Sequence, residues 1–255
     1  MKKRENHISS STKLQVIYEP KGRANEYSPL AVNLGVGCTH GCVYCYGPLA
    51  AHKKKDDYHR GISLRKNALA KLAKDAALLS CKQDDREILL SFLSDPYTPE
   101  DQTTQLTRQA LQILVNHDLR FTPLTKGGTR ATRDFDLLAD HNKARFGTSL
   151  VFWNQTEASE WEPNAATIKD RIKAIERAHD LHIPTWVSLE PVVFPEQAIR
   201  LVKELNPIVT HWKVGKLNYA KPPTPVDWLY FREEIKALFE SLGADYFFKK
   251  SLSDL

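Results

Sequence analysis

No run of about 18 apolar residues occurs in this 255-residue chain, so no membrane-spanning helix is expected. The first residues, MKKRENHISSSTK, are basic and polar and lack the apolar core of a secretory signal, which points to the cytoplasm. There is no internal repeat, no low-complexity tract and no linker marked enough to split the chain. A polar N-terminal extension (1–28) and one domain (29–255) are therefore expected. Cysteine is scarce, at four residues, and four in a cytoplasmic chain of this size do not make a disulfide framework. Charge is nearly balanced as well: 36 Lys and Arg against 31 Asp and Glu leave +5, which permits a polyanionic partner without demanding one.

What is present is regular. Short apolar runs at 30–36, 87–93, 120–125, 145–153, 184–192 and 208–215 read as strands. Amphipathic stretches at 63–80, 103–117, 132–141, 166–181, 195–205 and 226–242 read as helices, and 244–250 offers one more strand. Residues 1–30 read as polar and irregular. Continuous apolar strands alternating with helices predict a parallel sheet covered by helices. The expected fold is a partial, open (β/α)6 TIM-like barrel of parallel strands, with a doubly wound sheet as the alternative. Both put active sites at the C-terminal ends of the strands. There the sequence places "GVGCTHGCVYCYGP" (35–48), "SDPYTPE", "TKGGT", "WNQT" and "SLEP".

The first of these segments holds Cys38, Cys42 and Cys45 within eight residues, spaced C-x3-C-x2-C. Thiolates are soft ligands suited to zinc or to iron–sulfur. A structural zinc site is closed by four ligands, and a fourth would have to be His40, His52, Cys81 or a distant histidine. Zinc ribbons also pair two short knuckles, and no second pair exists. A [4Fe–4S] cluster held by three cysteines leaves one iron open, and glycines at 37 and 41 let the backbone wrap closely. Cys81 lies far off and reads as a packing or edge thiol.

With tyrosine at 44, the cysteine spacing resembles the signature of the radical S-adenosylmethionine (SAM) superfamily. More of the chain is similar to its spore photoproduct lyase-like branch: "EYSPLAVNLGVGCTHGCVYCYGP", "SDPYTPE", "LTR", "TK", "RDFDLL", "GTSL", "DRIKAIERAHDLHIP" and "EP", spread over most of residues 26–192. The resemblance implies two cofactors, a [4Fe–4S] cluster on the three thiolates and SAM on the open iron. Reductive cleavage of SAM then gives a 5′-deoxyadenosyl radical that removes hydrogen from a substrate. The cofactors carry the difficult chemistry and the protein positions them.

The resemblance also implies roles for individual residues. Tyr44 lies beside adenine in relatives, and Tyr46 is similarly placed. Ser94 and Asp95 match a segment that meets the amino end of SAM, although "TPED" would also suit a helix cap and Asp95 could simply order the turn. Lys126 matches a lysine that reaches the SAM carboxylate. Gly127-Gly128 beside it is a weak phosphate-loop candidate. Ser149, Ser188 and Glu190 match positions used for the ribose or methionyl end, and Lys213, Gly215 and Asn218 are candidates on the last strand. Spore photoproduct lyases proper carry a hydrogen-donating cysteine two residues before the serine of "SD". Phe92 stands there instead, so the same repair reaction is not expected.

The remaining expectations concern partners. An external one-electron reductant of flavodoxin or ferredoxin type is implied. A nucleic-acid or nucleotide substrate is suggested by the stretch Lys53–Lys74, with eight Lys and Arg and only Asp56 and Asp57 against them. The plain reading of that stretch is a solvated helix face. Trp153, Trp161, Trp186, Trp212 and Trp228 could stack bases, but most should be core. The competing functions are a non-enzymatic zinc- or iron–sulfur-binding module for partner docking, electron transfer or sensing.

Overall fold

The computed structural model describes residues 13–90, 92–218 and 220–255. Among the described residues ten strands run in chain order: β1 (Ile17–Tyr18), β2 (Leu30–Val32), β3 (Gly35–Val36), β4 (Ser63–Leu64), β5 (Ile88–Leu90), β6 (Phe121–Thr125), β7 (Phe146–Ser149), β8 (Thr185–Val192), β9 (His211–Lys216) and β10 (Tyr246–Phe248). The helices are α1 (Gly47–Ala50), α2 (Lys55–His59), α3 (Ala68–Cys81), α4 (Asp101–Thr104), α5 (Leu106–Asn116), α6 (Phe135–Ala139), α7 (Gln155–Trp161), α8 (Ile168–Asp180), α9 (Pro195–Leu205), α10 (Trp228–Leu242) and α11 (Lys250–Ser253).

The main sheet has the order β1-β2-β5-β6-β7-β8-β9-β10. From β2 onward every neighbouring pair is parallel, and spatial order follows chain order without reversal. A doubly wound sheet needs a reversal point, so that alternative is set aside. Winding in one direction instead curls the sheet, as in a barrel, and this sheet stays open. The strands are buried on both faces, Leu30, Leu89 and Val187 on them being fully covered.

Several local readings change. The apolar run 30–36 is not one strand. Asn33 interrupts it, because its side-chain carbonyl accepts the amides of Phe92 and Leu93 at 2.8 Å each. β3 then leaves the sheet and pairs antiparallel with β4, which also delays the predicted helix 63–80 until Ala68. The helix α7, the short helices α1 and α2 and a 3-10 turn at Gly128–Asp134 have no counterpart in the predicted elements. Cys81 is exposed at the end of α3. The hydroxyl of Thr98 caps nothing; Asp101 does the capping, accepting the amide of Thr107 at 3.0 Å. Trp186 and Trp212 are core, and Trp153, Trp161 and Trp228 are partly buried against it.

The first turn of the described N-terminal segment is held by one carboxylate, and residues 1–12 lie outside the described part. Asp75, buried on α3, accepts the amides of Gln15, Val16 and Ile17 at 2.7–2.9 Å. This holds β1 against β2 and aims the following segment, with a 3-10 turn at Gly22–Glu26, across the sheet's C-terminal end. Hydrogen bonds to a charged group are each worth about 1.5–3 kcal/mol. Asp75→Ala should therefore lower unfolding stability by about 2–4 kcal/mol in denaturant titration, with faster amide exchange at residues 15–17 before the rest of the sheet.

Candidate active site

A cavity of about 450 Å³ opens at the C-terminal ends of the strands. Its wall brings together most of the sequence candidates: Cys38, Cys42, Cys45, Tyr44, Tyr46, Ser94, Asp95, Lys126, Ser149, Glu190 and Asn218. Ser188, Gly215 and Lys213 do not line it, although all three support residues that do. Phe92, at the position of the relatives' cysteine, does line it.

The cysteine loop is shaped by close backbone packing. Gly37 has φ +117°, and a Cβ there would sit 2.1 Å from the Gly61 carbonyl oxygen. The amide of Cys38 donates to the Tyr58 carbonyl, and Tyr58 packs so tightly on Gly47 that a Cβ would meet its hydroxyl at 2.2 Å. Burial raises the thiol of Cys38, pushes that of Cys42 up to about 12 against the pull of Lys126, and raises that of Cys45. Such thiols stay protonated until a metal displaces the proton, which is released to solvent. The described residues hold no group of three or more His, Cys, Asp or Glu arranged for one ion. Three soft donors converging on a cavity, with no fourth cysteine beside them, fit a cluster with an open iron. His40 does not supply a fourth ligand. It is buried, accepts from Arg130 at its Nε2 (3.2 Å) and faces Asp95 with its Nδ1 (3.5 Å). Burial lowers its basicity, with Asp95 opposing and Arg130, Lys126 and Arg171 assisting.

Behind the loop stands Glu162, just after α7 and fully buried. Its carboxylate meets Arg171 Nη1 at 2.6 Å and Lys126 Nζ at 3.8 Å, and accepts from the Tyr44 hydroxyl. Burial opposes its ionisation, but Arg171 and Lys126 outweigh that, and the carboxyl is held below the usual carboxylate range. Tyr44 is stacked on Trp161 (6.3 Å, 27°), and Lys126 Nζ lies 5.6 Å from the centre of its ring. The same segment grips the loop's backbone. Val43 donates to Trp161 O at 2.8 Å, and Asn164 donates to His40 O at 3.1 Å and through its side chain to Thr39 O at 3.0 Å.

Asp95 orders the turn that carries it. It accepts from the Tyr97 amide (2.8 Å), the Thr125 hydroxyl (2.5 Å) and the Lys126 amide (2.7 Å), which fixes the end of β6. The Gly127-Gly128 loop is no phosphate cradle. The Tyr97 carbonyl and the Asp170 carboxylate already occupy the space a Cβ would take, and an anion would meet that carboxylate.

The opposite wall has its own polar group. Tyr27 lies across the sheet, its hydroxyl 2.9 Å from Ser188 Oγ and donating to Glu190. Burial and the neighbouring Glu190 raise this phenol, so it keeps its proton. Glu190 also meets Lys249 Nζ at 3.2 Å, and that ammonium lies 4.0 Å from the centre of the Tyr27 ring. Lys213 turns away from the cavity to the carbonyl of Tyr27 at 2.5 Å, and burial lowers its ammonium to about 8. Gly215 leaves room for Glu190, since a Cβ would stand 2.8 Å from its carboxyl carbon. Phe92 completes this wall, edge-on to Tyr27 at 6.0 Å and accepting from Tyr46 at its carbonyl (2.9 Å). Lys21, Arg23 and Ala24 close the rim.

Tyr27, Glu162 and Lys249 were missed by sequence reasoning. Tyr27 sits inside the quoted "EYSPL", which was the one available signal. Glu162 and Lys249 stand in "EWEPN" and "FFKK", which carry no pattern of their own.

A partial barrel with three thiols at the end of its first parallel strand defines the class as a cluster-binding α/β domain. The comparisons narrow it. The model of the Radical SAM superfamily matches residues 32–205, and the chain belongs to that superfamily. Its cofactors are accordingly a [4Fe–4S] cluster and SAM. Among curated proteins it is 23% identical over 189 residues to Uncharacterized protein ORF301 of Acidianus two-tailed virus and 26% identical over 166 residues to Uncharacterized protein MJ0683 of Methanocaldococcus jannaschii. These matches cover 68% and 64% of this chain and only 59% and 60% of those proteins. Among solved structures, a spore photoproduct lyase variant with bound AdoMet and dinucleoside spore photoproduct superposes with TM-score 0.71 at 14% identity, covering 94% of this chain and 80% of that one. SuiB of Streptococcus suis bound to S-adenosylmethionine gives 0.63 at 15% identity, covering 86% and 49%. Identities this low carry the fold alone. No helix among the described residues is long and apolar enough to cross a membrane.

Two substitutions test the walls. Glu162→Ala leaves Arg171 buried without its partner and should cost about 3–5 kcal/mol of unfolding stability, read by chemical denaturation. Gly215→Val should crowd Glu190 and cost about 1–3 kcal/mol, with the Tyr27 fluorescence environment changed.

Proposed function

We propose that this chain is an enzyme of the lyase or transferase type that generates a substrate radical on a nucleotide or nucleic acid. The observation that carries the reading is the convergence of Cys38, Cys42, Cys45 and Lys126 on one cavity at the strand ends. Bound together, the cluster and SAM supply a 5′-deoxyadenosyl radical able to remove a hydrogen atom. The chain's own residues do the rest. The three cysteines hold the cluster. Lys126, kept in place by Glu162, offers a cation for the SAM carboxylate, and Ser94 and Ser149 offer hydroxyls to its other polar groups. Tyr44 gives an aromatic edge for the adenine, and Glu190 an acceptor for ribose hydroxyls. The aromatic lining of Phe92 and Tyr46 keeps water from the radical.

Lys21 and Arg23 at the rim support a phosphate-bearing substrate, since exposed cations there would meet an anion before it enters. Phe92 supports a reaction other than spore photoproduct repair, because a phenyl ring does not return a hydrogen atom as a thiol does. An oxygen-sensitive cluster and free cysteines suit the reducing cytoplasm.

Anaerobic purification should give a brown protein containing iron and acid-labile sulfide, and dithionite with SAM should yield 5′-deoxyadenosine. Cys42→Ala should abolish both colour and product. A colourless protein with stoichiometric zinc would establish the binding-module reading instead. A fully loaded cluster that never cleaves SAM would establish electron transfer or sensing.

A further inference from the structure

The basic stretch after the cysteine loop takes no part in the cavity beyond Tyr58. Its first part forms a surface with the loop's outer side. Val43, between two of the cysteines, is 42% exposed, and Leu49 on α1 is 67% exposed. Lys53, Lys54 and Lys55 border them, all exposed. The pieces are tied together: Lys55 Nζ donates to Val43 O (3.3 Å), Lys53 N to Pro48 O (2.9 Å) and His52 N to Leu49 O (3.2 Å). Of the two acids here Asp57 is taken by Arg60 at 3.1 Å and Asp56 stands exposed after Lys55, so the rim is three lysines against one open carboxylate; the side chains of Lys53 and Lys54 have no hydrogen-bond or ion-pair partner among the described residues. Directly beneath, the amide of Gly47, the first residue of α1, donates to Cys45 Sγ at 3.4 Å.

The geometry points to this face, Val43 and Leu49 ringed by Lys53, Lys54 and Lys55, as the docking surface for an acidic one-electron carrier protein that reduces the cluster. This rests on the functional reading above and extends it to where the electron enters. Charge complementarity selects the occupant. An apolar centre with a cationic rim fits an acidic protein surface in a small, transient interface. A nucleic acid would leave Val43 and Leu49 without a use, and the one tyrosine of this stretch, Tyr58, is buried with its hydroxyl on Leu93 O. The balance is simple: the carrier loses one electron and the cluster gains it. The covalent segment from Val43 to Gly47, which contains the ligand Cys45 and follows directly on Cys42, and the hydrogen bond at Cys45 Sγ make this the short route inward.

Stopped-flow bleaching of the cluster's visible absorbance tests it, with a reduced acidic flavodoxin and, separately, with dithionite. Lys53→Glu/Lys54→Glu should slow reduction by flavodoxin about tenfold or more at low salt, and Leu49→Ala should slow it less. Raising ionic strength should erode the wild-type rate. Reduction by dithionite should be unchanged in every variant, which shows the cluster intact. Wild-type rates with flavodoxin in both variants would overturn the proposal, as would flavodoxin reduction of the wild type that ignores salt. So would loss of single-stranded oligonucleotide binding in the double variant with carrier kinetics untouched, which would give the face to nucleic acid. A protein without cluster absorbance would overturn the functional reading itself and this one with it, and is told apart from slow reduction by the spectrum before mixing.

Discussion

Glu162 is the constraint on which the cavity depends. A carboxylate with no solvent contact is tolerated only when its charge is matched and its lone pairs are used. Here the matching groups come from three places in the chain. Arg171 arrives on α8, Lys126 from the end of β6 and Tyr44 from the cysteine loop. Arg171 is itself buried and also donates to the carbonyls of Ala166 (2.8 Å) and Ser149 (3.1 Å). One buried anion thus fixes the loop, two strand ends and the segment after α7 relative to one another. The arrangement also leaves Lys126 near its partner without fully quenching it, since 3.8 Å is an ion pair and not a tight hydrogen bond. Its ammonium remains able to meet a second carboxylate.

The opposite wall repeats this logic with weaker burial. Glu190 is matched by Lys249, and Tyr27 bridges Glu190 to Ser188. Lys249 also donates to Arg23 O at 2.8 Å, and Lys213 to the carbonyl of Tyr27, so two cations from the last strands pin the N-terminal segment over the sheet edge. An open sheet would otherwise leave this side uncovered. The segment that Asp75 anchors at one end is therefore clamped by lysines at the other, and its rim residues Lys21 and Arg23 are carried into place by those contacts. The cavity is a gap between two neutralised belts rather than a single charged hole.

The parts of this that sequence makes legible are the parts governed by local pattern. Apolar runs alternating with amphipathic helices located the seven parallel strands to within a few residues, because strands buried on both faces must be continuously apolar. The cysteine spacing located the loop, and the residues quoted with it, Ser94, Asp95, Lys126, Ser149 and Glu190, do converge on its cavity. Ser188 and Lys213 did not reach the wall, because one row of the sheet register sets Ser149 beside Ser188 and Ser188 beside Lys213, and Tyr27 covers the latter two. Glu162 and Lys249 were not legible at all. A buried charge is specified by partners distant in sequence, and nothing within "EWEPN" announces an arginine nine residues on or a tyrosine 118 residues away. The break at Asn33 was hidden for the same reason, since its side chain serves the backbone of another strand.

These contacts bear on how the loop meets its cluster. A zinc finger is unfolded until its metal arrives, because the ligands have little else to hold them. This loop has much else. Gly37 is locked against the Gly61 carbonyl, Gly47 against the Tyr58 ring, Val43 and His40 against the segment 161–164, and Asp95 pins the neighbouring strand ends. The free energy of cluster binding then need not fold the site, although it must displace protons from thiols whose burial favours the neutral form. A preorganised loop costs little entropy at the moment of assembly and holds its geometry when the open position changes occupant. That is the property a cluster needs if it must accept an electron from outside and pass it inward without the protein rearranging around it.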